Sequence, residues 1–367
     1  MGKTTAAKAE ARFKQLCCLG LGGEAVMPAL IDELRALVPS TTSTFFFADD
    51  KGDLANIYED APDSPVMIRI YMEEFHRRPD RLLPGFDFSE SMRTQSGVLD
   101  WEAASGTDMN AFRRSEFYNT FYRHHGWDAF VRLIVRDPGR KLGLGRLTLH
   151  RGPGEAAFTS EEKRRIAALG PFLAHALERR TDSKTALVDS GTSGVIVADQ
   201  TGKPIHLSAG GRRLLFLASH PRLGRETVFS RVVALPEPLV QLCRNLRRLF
   251  VEDPSSSPPA YHVQNAWGGF TFRAHWLEGE DPADGLIAIT ISYKEPLPIA
   301  LIRRVGKLAL SRRQAEVCVL MATGASNEVI AERLGISKHT AIAHGRWIYD
   351  KLDVHNRTEL VNRLLSV

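Results

Sequence analysis

The chain has 367 residues, 43% of them hydrophobic and 25% charged, which is enough for two or three globular domains with buried cores. Its 48 Lys and Arg residues outnumber its 43 Asp and Glu residues by five. The last 67 residues hold 11 and 6 of these, so all of the net positive charge lies there. No apolar run reaches the roughly 18 residues that a membrane-spanning helix needs, and the first residues lack the apolar stretch of a signal peptide. The cysteines have neither metal-ligand spacing nor a disulfide framework, which predicts a reduced, cytoplasmic protein without a metal site.

The first segment, residues 8–182, mixes helical and strand patterns. Helices are predicted over 27–38 and 67–76, and strands over 44–48, 56–59, 129–136 and 145–150. A closing helix begins at Thr159-Ser160-Glu161-Glu162, which has the pattern of a capping box. This closing stretch, residues 158–176, resembles the end of a GAF-type sensory domain.

The middle segment, residues 183–296, begins with a strand, an Asp199-to-Gly202 turn and a second strand over 194–205. A helix around 212–217 and two late strands, over 269–277 and 285–293, follow. This order resembles a PAS domain, a five-stranded antiparallel sheet with helices on one side. The chain breaks near 181–184 and at the Pro-interrupted connector after 295, and residues 252–259 are predicted to form a mobile loop.

GAF and PAS domains bind small molecules or serve only to transmit signals and dimerise, so their aromatic residues are the candidates for a ligand pocket. On the strand over 269–277, side-chain alternation puts Phe270, Phe272 and Trp276 on one face, which we expect to line the interior. Such aromatic stripes are also typical of a plain hydrophobic core. The selected ligand candidates are Trp101, Tyr118, Phe121, Trp127, Phe270, Phe272 and Trp276.

The last 58 residues, 310–367, follow a connector over 297–309 and have the pattern of a helix-turn-helix. A short amphipathic helix ends at Gly335, and Ser337 caps a second helix. The segment resembles the DNA-binding domain of LuxR-type transcriptional regulators, a four-helix module. The matching residues are Leu310, Ser311, Arg313, Glu316, Gly324, Ser326, Asn327, Ile330, Ala331, Leu334, Ser337, Thr340, His344, Ile348, Lys351, Leu352, Asn356, Arg357, Thr358, Glu359 and Leu360. They cover about a sixth of the chain. Gln314 stands where the family usually has Glu, and Gly345 sits inside the second helix, where glycine costs roughly 0.5–1 kcal/mol against alanine.

The resemblance implies which residues contact DNA. Arg346 would read guanine through a bidentate contact, and Ile342 and Ala343 would pack on thymine methyl groups. Gly345 either lets the helix lie closer to DNA or marks a tolerant position. Ser337, Lys338, His339 and Thr340 cluster at a helix N-terminus, which suits phosphate contacts, and Asn327 completes the predicted surface. Val361 and Leu365 on the last helix are predicted to form a dimer seam.

These patterns predict an α+β protein: GAF-like and PAS-like antiparallel-sheet domains, then an all-α helix-turn-helix domain. The favoured function is a one-component transcription factor that binds double-stranded DNA as a homodimer and senses an aromatic or apolar small molecule, with RNA polymerase as a further partner. The alternative is a response regulator, or a DNA-binding protein controlled by a partner protein, without a small-molecule ligand. No catalytic, dinucleotide or phosphate-loop motif is present, so we expect neither an enzyme nor a cofactor.

Overall fold

The computed structural model describes residues 3–61, 64–106, 108–136, 139, 141–178, 185–223, 234–251, 260–277 and 285–366. They form two five-stranded antiparallel sheets and a C-terminal group of helices, so the predicted α+β class is confirmed. The chain divides into two compact units, one of residues 1–39, 178–188 and 295–367 and one of residues 40–177 and 189–294. The N-terminal residues that we predicted as part of the first sheet domain thus cluster with the C-terminal helices.

The first sheet consists of β1 (Thr42–Ala48), β2 (Leu54–Glu59), β3 (Gly97–Asp100), β4 (Ala129–Val135) and β5 (Gly145–Arg151), in the order β2-β1-β5-β4-β3. Its helices are α3 (Ser64–Glu74), α4 (Phe88–Thr94), α5 (Trp101–Ser105), α6 (Met109–Arg114) and α7 (Ser160–Leu177), with a π-helical turn over Tyr118–Tyr122. The predicted capping box at the start of α7 is confirmed. The Thr159 N–H donates to Glu162 Oε2 at 2.8 Å, and the Glu162 N–H donates to Thr159 Oγ1 at 3.2 Å.

Strand register decides which side chains of this sheet share a face. Thr44 lies opposite both Glu59 and Thr148, and Thr148 lies opposite Arg132. Phe46 lies opposite Arg146 in the same way. Because side chains alternate along a strand, these residues all point to one face of the sheet, while the residues between them point to the other.

The second sheet consists of β6 (Leu187–Ala198), β7 (Pro204–Leu207), β8 (Ala260–Asn265), β9 (Gly268–Leu277) and β10 (Leu286–Pro296), in the order β7-β6-β10-β9-β8. Counted from its own first strand, each sheet therefore has the order 2-1-5-4-3. The helices α8 (Ala209–Ser219) and α9 (Glu237–Val251) accompany it. The predicted turn between its first strands is confirmed, because the Asp199 carboxylate accepts from the Thr201 and Lys203 N–H groups at 2.8 and 2.9 Å. The predicted break at 181–184 and the predicted loop at 252–259 lie outside the described residues.

The two sheet domains belong to one compact unit and contact each other directly. Trp267, which is completely buried, lies with its ring 5.8 Å from Phe47 and 5.7 Å from Tyr58, both in the first sheet. The Leu223 N–H donates to the Ala55 carbonyl at 2.9 Å, and the Asn56 amide donates to the Pro221 carbonyl at 3.1 Å. These contacts make the sheet domains a single packed body.

The helical unit contains α1 (Lys3–Cys17), α2 (Gly23–Leu37), α10 (Leu297–Lys307), α11 (Arg312–Ala322), α12 (Asn327–Leu334), α13 (Lys338–Leu352) and α14 (Arg357–Leu365). The predicted connector is mostly helix α10, which begins at the two prolines because a proline in the first turn of a helix costs no hydrogen bond. Its buried face packs against α1, α2, α11 and α14. Among the described residues, no helix combines the length and apolar composition that crossing a lipid bilayer requires.

Candidate nucleic-acid interface and buried cavity

Side-chain caps fix the ends of the helices in the C-terminal domain. The Ser326 hydroxyl accepts from the Val329 N–H at 3.3 Å, and the Ser337 hydroxyl accepts from the Thr340 N–H at 3.0 Å. Between them, Gly335 ends α12 with a φ of 60°, a conformation that glycine adopts without steric cost. The predicted helix-turn-helix is confirmed, and the residues that cap or end its helices lie within twelve positions of one another in the sequence.

Gln314, which stands where the family usually has Glu, preserves the N-terminal cap of α11. The Ser311 N–H donates to Gln314 Oε1 at 2.9 Å, while the Gln314 N–H donates back to the Ser311 hydroxyl at 3.3 Å. Glutamine and glutamate both offer the side-chain oxygen that a capping box requires. The substitution therefore keeps the geometry of the first helix of the domain.

The inner face of α13 consists of Ala341, Gly345 and Ile348, all of which are buried. A Cβ atom at Gly345 would lie 3.4 Å from Cε of Met321, on α11. Gly345 therefore points toward the domain interior, and the suggestion that it brings the helix closer to DNA is wrong. Leu352, near the end of the helix, is half-buried.

The outer face of α13 carries the cationic residues. Arg346 is exposed and forms no ion pair with any residue in the described part of the chain. Of the other predicted DNA contacts, Ser337, Lys338, His339 and Ala343 are exposed, and Asn327, Thr340 and Ile342 are half-buried. The structure thus leaves these side chains open to a ligand on one side of the domain, and their contacts with DNA stay predictions.

Lys338 has an acidic neighbour in the structure. Its Nζ lies 2.5 Å from Oε1 of Glu328 on α12, and both side chains are exposed. This hydrogen bond lowers the pKa of Glu328 to about 2. Glu328 therefore competes with a phosphate group for Lys338.

Trp347 is an exposed aromatic residue whose position the sequence left open. Its exposed fraction is 41%, and Nζ of Lys351 lies 4.5 Å from its ring centroid. The i, i+4 spacing of the two residues on α13 makes this cation–π contact, and that spacing was visible in the sequence.

The predicted dimer residues lie on α14. Val361 and Leu365 are half-buried, whereas Leu360 and Leu364 form the buried stripe of this helix. Arg304 on α10 donates to the Leu365 carbonyl at 2.8 Å, so the end of α14 is held within the chain. The dimer seam stays a prediction.

A cavity lies on the face of the first sheet that carries Thr44, Arg132 and Arg146. Its volume is about 40 Å³, room for about three water molecules. Two of the predicted ligand residues, Phe121 and Trp127, line it. Its other wall residues are Thr44, Phe46, Ile57, Glu59, Met67, Ile68, Tyr71, Phe86, Phe117, Tyr122, Phe130, Arg132, Arg146, Thr148 and His150.

Two other candidates of the first domain lie outside this wall. Trp101 is buried and stacks on Phe112 with 3.5 Å between ring centroids, so it belongs to the core beside the cavity. Tyr118 is half-buried, and its hydroxyl donates to Asp128 at 3.3 Å. In the second domain, Phe270 and Phe272 are buried and Trp276 is half-buried. Phe272 also borders a larger space of about 600 Å³ between α3, α8 and the second sheet.

Polar residues in the wall of the first cavity were missed by the sequence analysis. His150 stacks on Trp127 with 3.8 Å between ring centroids, and burial lowers its pKa to about 3, so it is neutral. Arg132 and Arg146 are also buried, with guanidinium groups over the rings of Phe86 and Phe46 at 5.1 and 4.5 Å. A polar residue that alternates with apolar ones predicts a solvent-facing strand side, and here that side faces the cavity.

Among the described residues, no three His, Cys, Asp and Glu side chains come together in a way that could hold a metal ion. The described cysteines are all free thiols, and burial raises the pKa of Cys243 to about 11 and of Cys318 to about 12. Neither observation assigns a cofactor.

Comparisons with known proteins agree on the C-terminal domain. Residues 308–364 match the family model "Bacterial regulatory proteins, luxR family". The monoamine regulon transcriptional regulator of Klebsiella aerogenes is 44% identical over 54 residues, which are 15% of this chain and 24% of that protein. The chain thus matches only about a quarter of the length of this curated relative.

Solved structures resemble the chain weakly. Escherichia coli SdiA is 11% identical with a TM-score of 0.27, covering 93% of this chain and 89% of that one. VqmA bound to DPO is 14% identical with a TM-score of 0.15, covering 48% and 83%. At TM-scores this low, neither constrains the fold or the ligand of the sheet domains. The match over residues 308–364 and the geometry of α11 to α14 together identify the C-terminal part of this chain as a luxR-family helix-turn-helix DNA-binding domain.

Proposed function

We propose that this protein is a one-component transcription factor. In this proposal, residues 310–367 bind operator DNA as a dimer, and a small molecule bound by the sheet domains changes the affinity for that DNA. The observation that carries the proposal is a luxR-family α13 that exposes Arg346 without an ion pair among the described residues, in a chain that also has a cavity inside its first sheet domain. Control by a partner protein, without a small molecule, is the alternative that the experiment below distinguishes.

The DNA contacts follow from the exposed face of α13. Arg346 carries a planar fork of N–H groups that fits the acceptor edge of guanine in the major groove, and it forms no ion pair with any of the described residues. Ile342 and Ala343 stand beside it for apolar contact with thymine methyl groups. Lys338, at the helix N-terminus, binds a phosphate group after leaving Glu328. Val361 and Leu365 complete a seam with a second copy, which sets the spacing of two recognition helices.

The sheet domains supply the sensor in this proposal. We assign residues 8–182 to a GAF-like domain and residues 183–296 to a PAS-like domain, supported by the 2-1-5-4-3 order of both sheets. Helix α10 is the coupling element, because it follows the last strand of the second sheet in the chain. Its buried residues Ile302 and Val305 pack within the helical unit that holds the DNA-binding domain. A shift of α10 therefore changes the support of α11 and α14.

The test uses the full chain. Operator fragments are first selected from random double-stranded DNA, and their dissociation constant is then measured by fluorescence anisotropy with and without candidate ligands. A coupling free energy of about 1–3 kcal/mol changes the dissociation constant about 5- to 150-fold. The Arg346→Ala variant is the control that still binds ligand but loses the selected sequence. DNA binding that no bound ligand alters would leave the DNA-binding part standing and reject the sensor part in favour of a partner protein.

A further inference from the structure

Two buried guanidinium groups line the cavity of the first sheet domain, and some of their N–H groups have no acceptor. Arg132 is 2% exposed and Arg146 is 6% exposed. Arg132 donates from Nη2 to the Gly85 carbonyl at 2.7 Å, but its Nε has no partner. Among the described residues, Arg146 has no acceptor for Nε or Nη1, although the buried Tyr71 hydroxyl is a neighbour of this guanidinium. An arginine stays charged in proteins, so these donors are costly to bury without a negative partner.

The cavity does not neutralise this charge from within. Neither Arg132 nor Arg146 forms an ion pair with another described residue, and both line the same wall. Glu59 is the acid of this wall, and its Oε2 accepts from Thr44 at 3.1 Å. Since β2 and β5 are separated by β1, Glu59 stands two strands, about 10 Å, from the strand that carries Arg146. Burial and the neighbouring Arg146 lower the pKa of Arg132 to about 9, as expected for two cations that share a buried site.

Aromatic rings hold the rest of the wall. Arg146 lies over Phe46 at 4.5 Å and over Phe88 at 5.4 Å, which fixes its guanidinium plane. Trp127 and Tyr122 line the same cavity, and Trp127 is stacked on His150. The volume of about 40 Å³ is well below the roughly 150 Å³ of a cavity that holds benzene, so an aromatic occupant enters only when the rings of the wall move apart.

We propose that this cavity binds a compact aromatic carboxylate. Its carboxylate accepts hydrogen bonds from the free N–H groups of Arg146, and its ring packs against Trp127 and Tyr122. That this acid is the effector of the protein rests on the proposed function. That the cavity binds the acid does not, and it is tested separately. The arginine N–H groups donate hydrogen bonds to the carboxylate, so the free-energy cost of burying the cation and that of burying the anion are both reduced.

The test measures binding of benzoate to the full chain by calorimetry and thermal unfolding. Benzamide serves as the uncharged ligand of the same shape, and inorganic phosphate as the anion without a ring. Benzoate is expected to raise the melting temperature, with benzamide and phosphate binding at least tenfold more weakly. Arg146→Met should weaken benzoate binding about 10- to 150-fold, the equivalent of a charged hydrogen bond. Arg273→Met, on β9 of the second sheet, is the matched control, because Arg273 is exposed.

Several results would overturn the inference. Equal binding of benzamide would remove the role of charge, and unchanged binding in Arg146→Met would remove the role of this arginine. The absence of binding by benzoate and by ring-substituted benzoates to the folded chain would reject the carboxylate altogether. If Arg146→Met does not fold, quenching of tryptophan fluorescence by benzoate in the unmodified chain tests whether the acid enters the cavity. The Trp127→Phe variant, which lacks the tryptophan of the cavity wall, is the control in which this quenching is lost. If benzoate binding depends on Arg146 but leaves the affinity for DNA unchanged, this inference stands and the sensor function is rejected. If instead an uncharged molecule changes the affinity for DNA and benzoate does not bind, the sensor function stands and this inference is rejected.

Discussion

The C-terminal domain and the first sheet domain place arginine in opposite settings. Arg346 stands exposed on α13, where water solvates it and where we propose that DNA binds. Arg146 is buried under Phe46 and Phe88, where water cannot solvate it freely. The same guanidinium group thus suits a long polyanion in one place and only a small enclosed anion in the other. Burial, rather than residue type, therefore limits the size of the anion that each arginine can bind.

The largest effect is expected on the stability of the ligand-free chain in the Arg146→Met variant. Replacing a buried, uncompensated charge with an apolar side chain of similar volume should stabilise the sheet domains by about 1–4 kcal/mol. The urea midpoint of the full chain, followed by tryptophan fluorescence, measures this. A loss of about 3–5 kcal/mol would show instead that Arg146 has an internal partner and would break the comparison.

Arg346→Ala is expected to have the next largest effect. Loss of a bidentate base contact should weaken binding to the selected operator by about 1–3 kcal/mol and relax the preference at one base position. Binding is measured against a set of operators that differ at single positions. Arg363→Ala, an exposed arginine on α14, is the control. A uniform loss across all sequences would show that Arg346 contacts phosphate rather than a base.

Lys338→Ala is expected to act more weakly and without sequence preference. Removing one phosphate contact should lower the slope of log affinity against log salt concentration by about 0.9. Glu328→Gln should have the opposite effect on affinity, because it releases Lys338 from its ion pair. Anisotropy titrations over a range of salt concentrations test both variants. An unchanged salt slope in Lys338→Ala would place this side chain away from the phosphates.

The smallest effect is expected from Gly345→Ala. Alanine should stabilise the interior of α13 by about 0.5–1 kcal/mol. The new Cβ meets Cε of Met321 at an ordinary distance of 3.4 Å. Because Gly345 faces the domain interior, operator affinity should not change. Thermal unfolding and anisotropy on the same preparation check the two statements, and a loss of DNA affinity would mean that the inner face of α13 moves on binding.

The two regions also differ in how far their sequences predict them. Ser326, Gly335 and Ser337 cap or end helices through contacts within a few residues, so their spacing predicted the helix-turn-helix. Arg132 and Arg146 acquire their role only through the register of β4 and β5, which brings both to the cavity side. A strand pattern by itself does not show whether its polar side meets water or a ligand.

Similar reasoning explains the other differences. Phe121 and Trp127 line the cavity, whereas Trp101 lies in the core beside it. The sequence does not distinguish these two positions, because both require a large apolar side chain. The prolines at 296 and 298 indicated an interruption of the chain. They also fit the first turn of a helix, and α10 begins there because its apolar residues find a surface on helices distant in sequence.

The most direct test of the account is the dissociation constant of the selected operator from the full chain, measured with and without saturating benzoate or the tightest-binding substituted benzoate. We expect a change of about 5- to 150-fold that disappears in Arg146→Met, while Arg273→Met retains it. An acid that occupies the cavity, as calorimetry shows, and leaves the dissociation constant unchanged would contradict the link between the buried arginines and the exposed one.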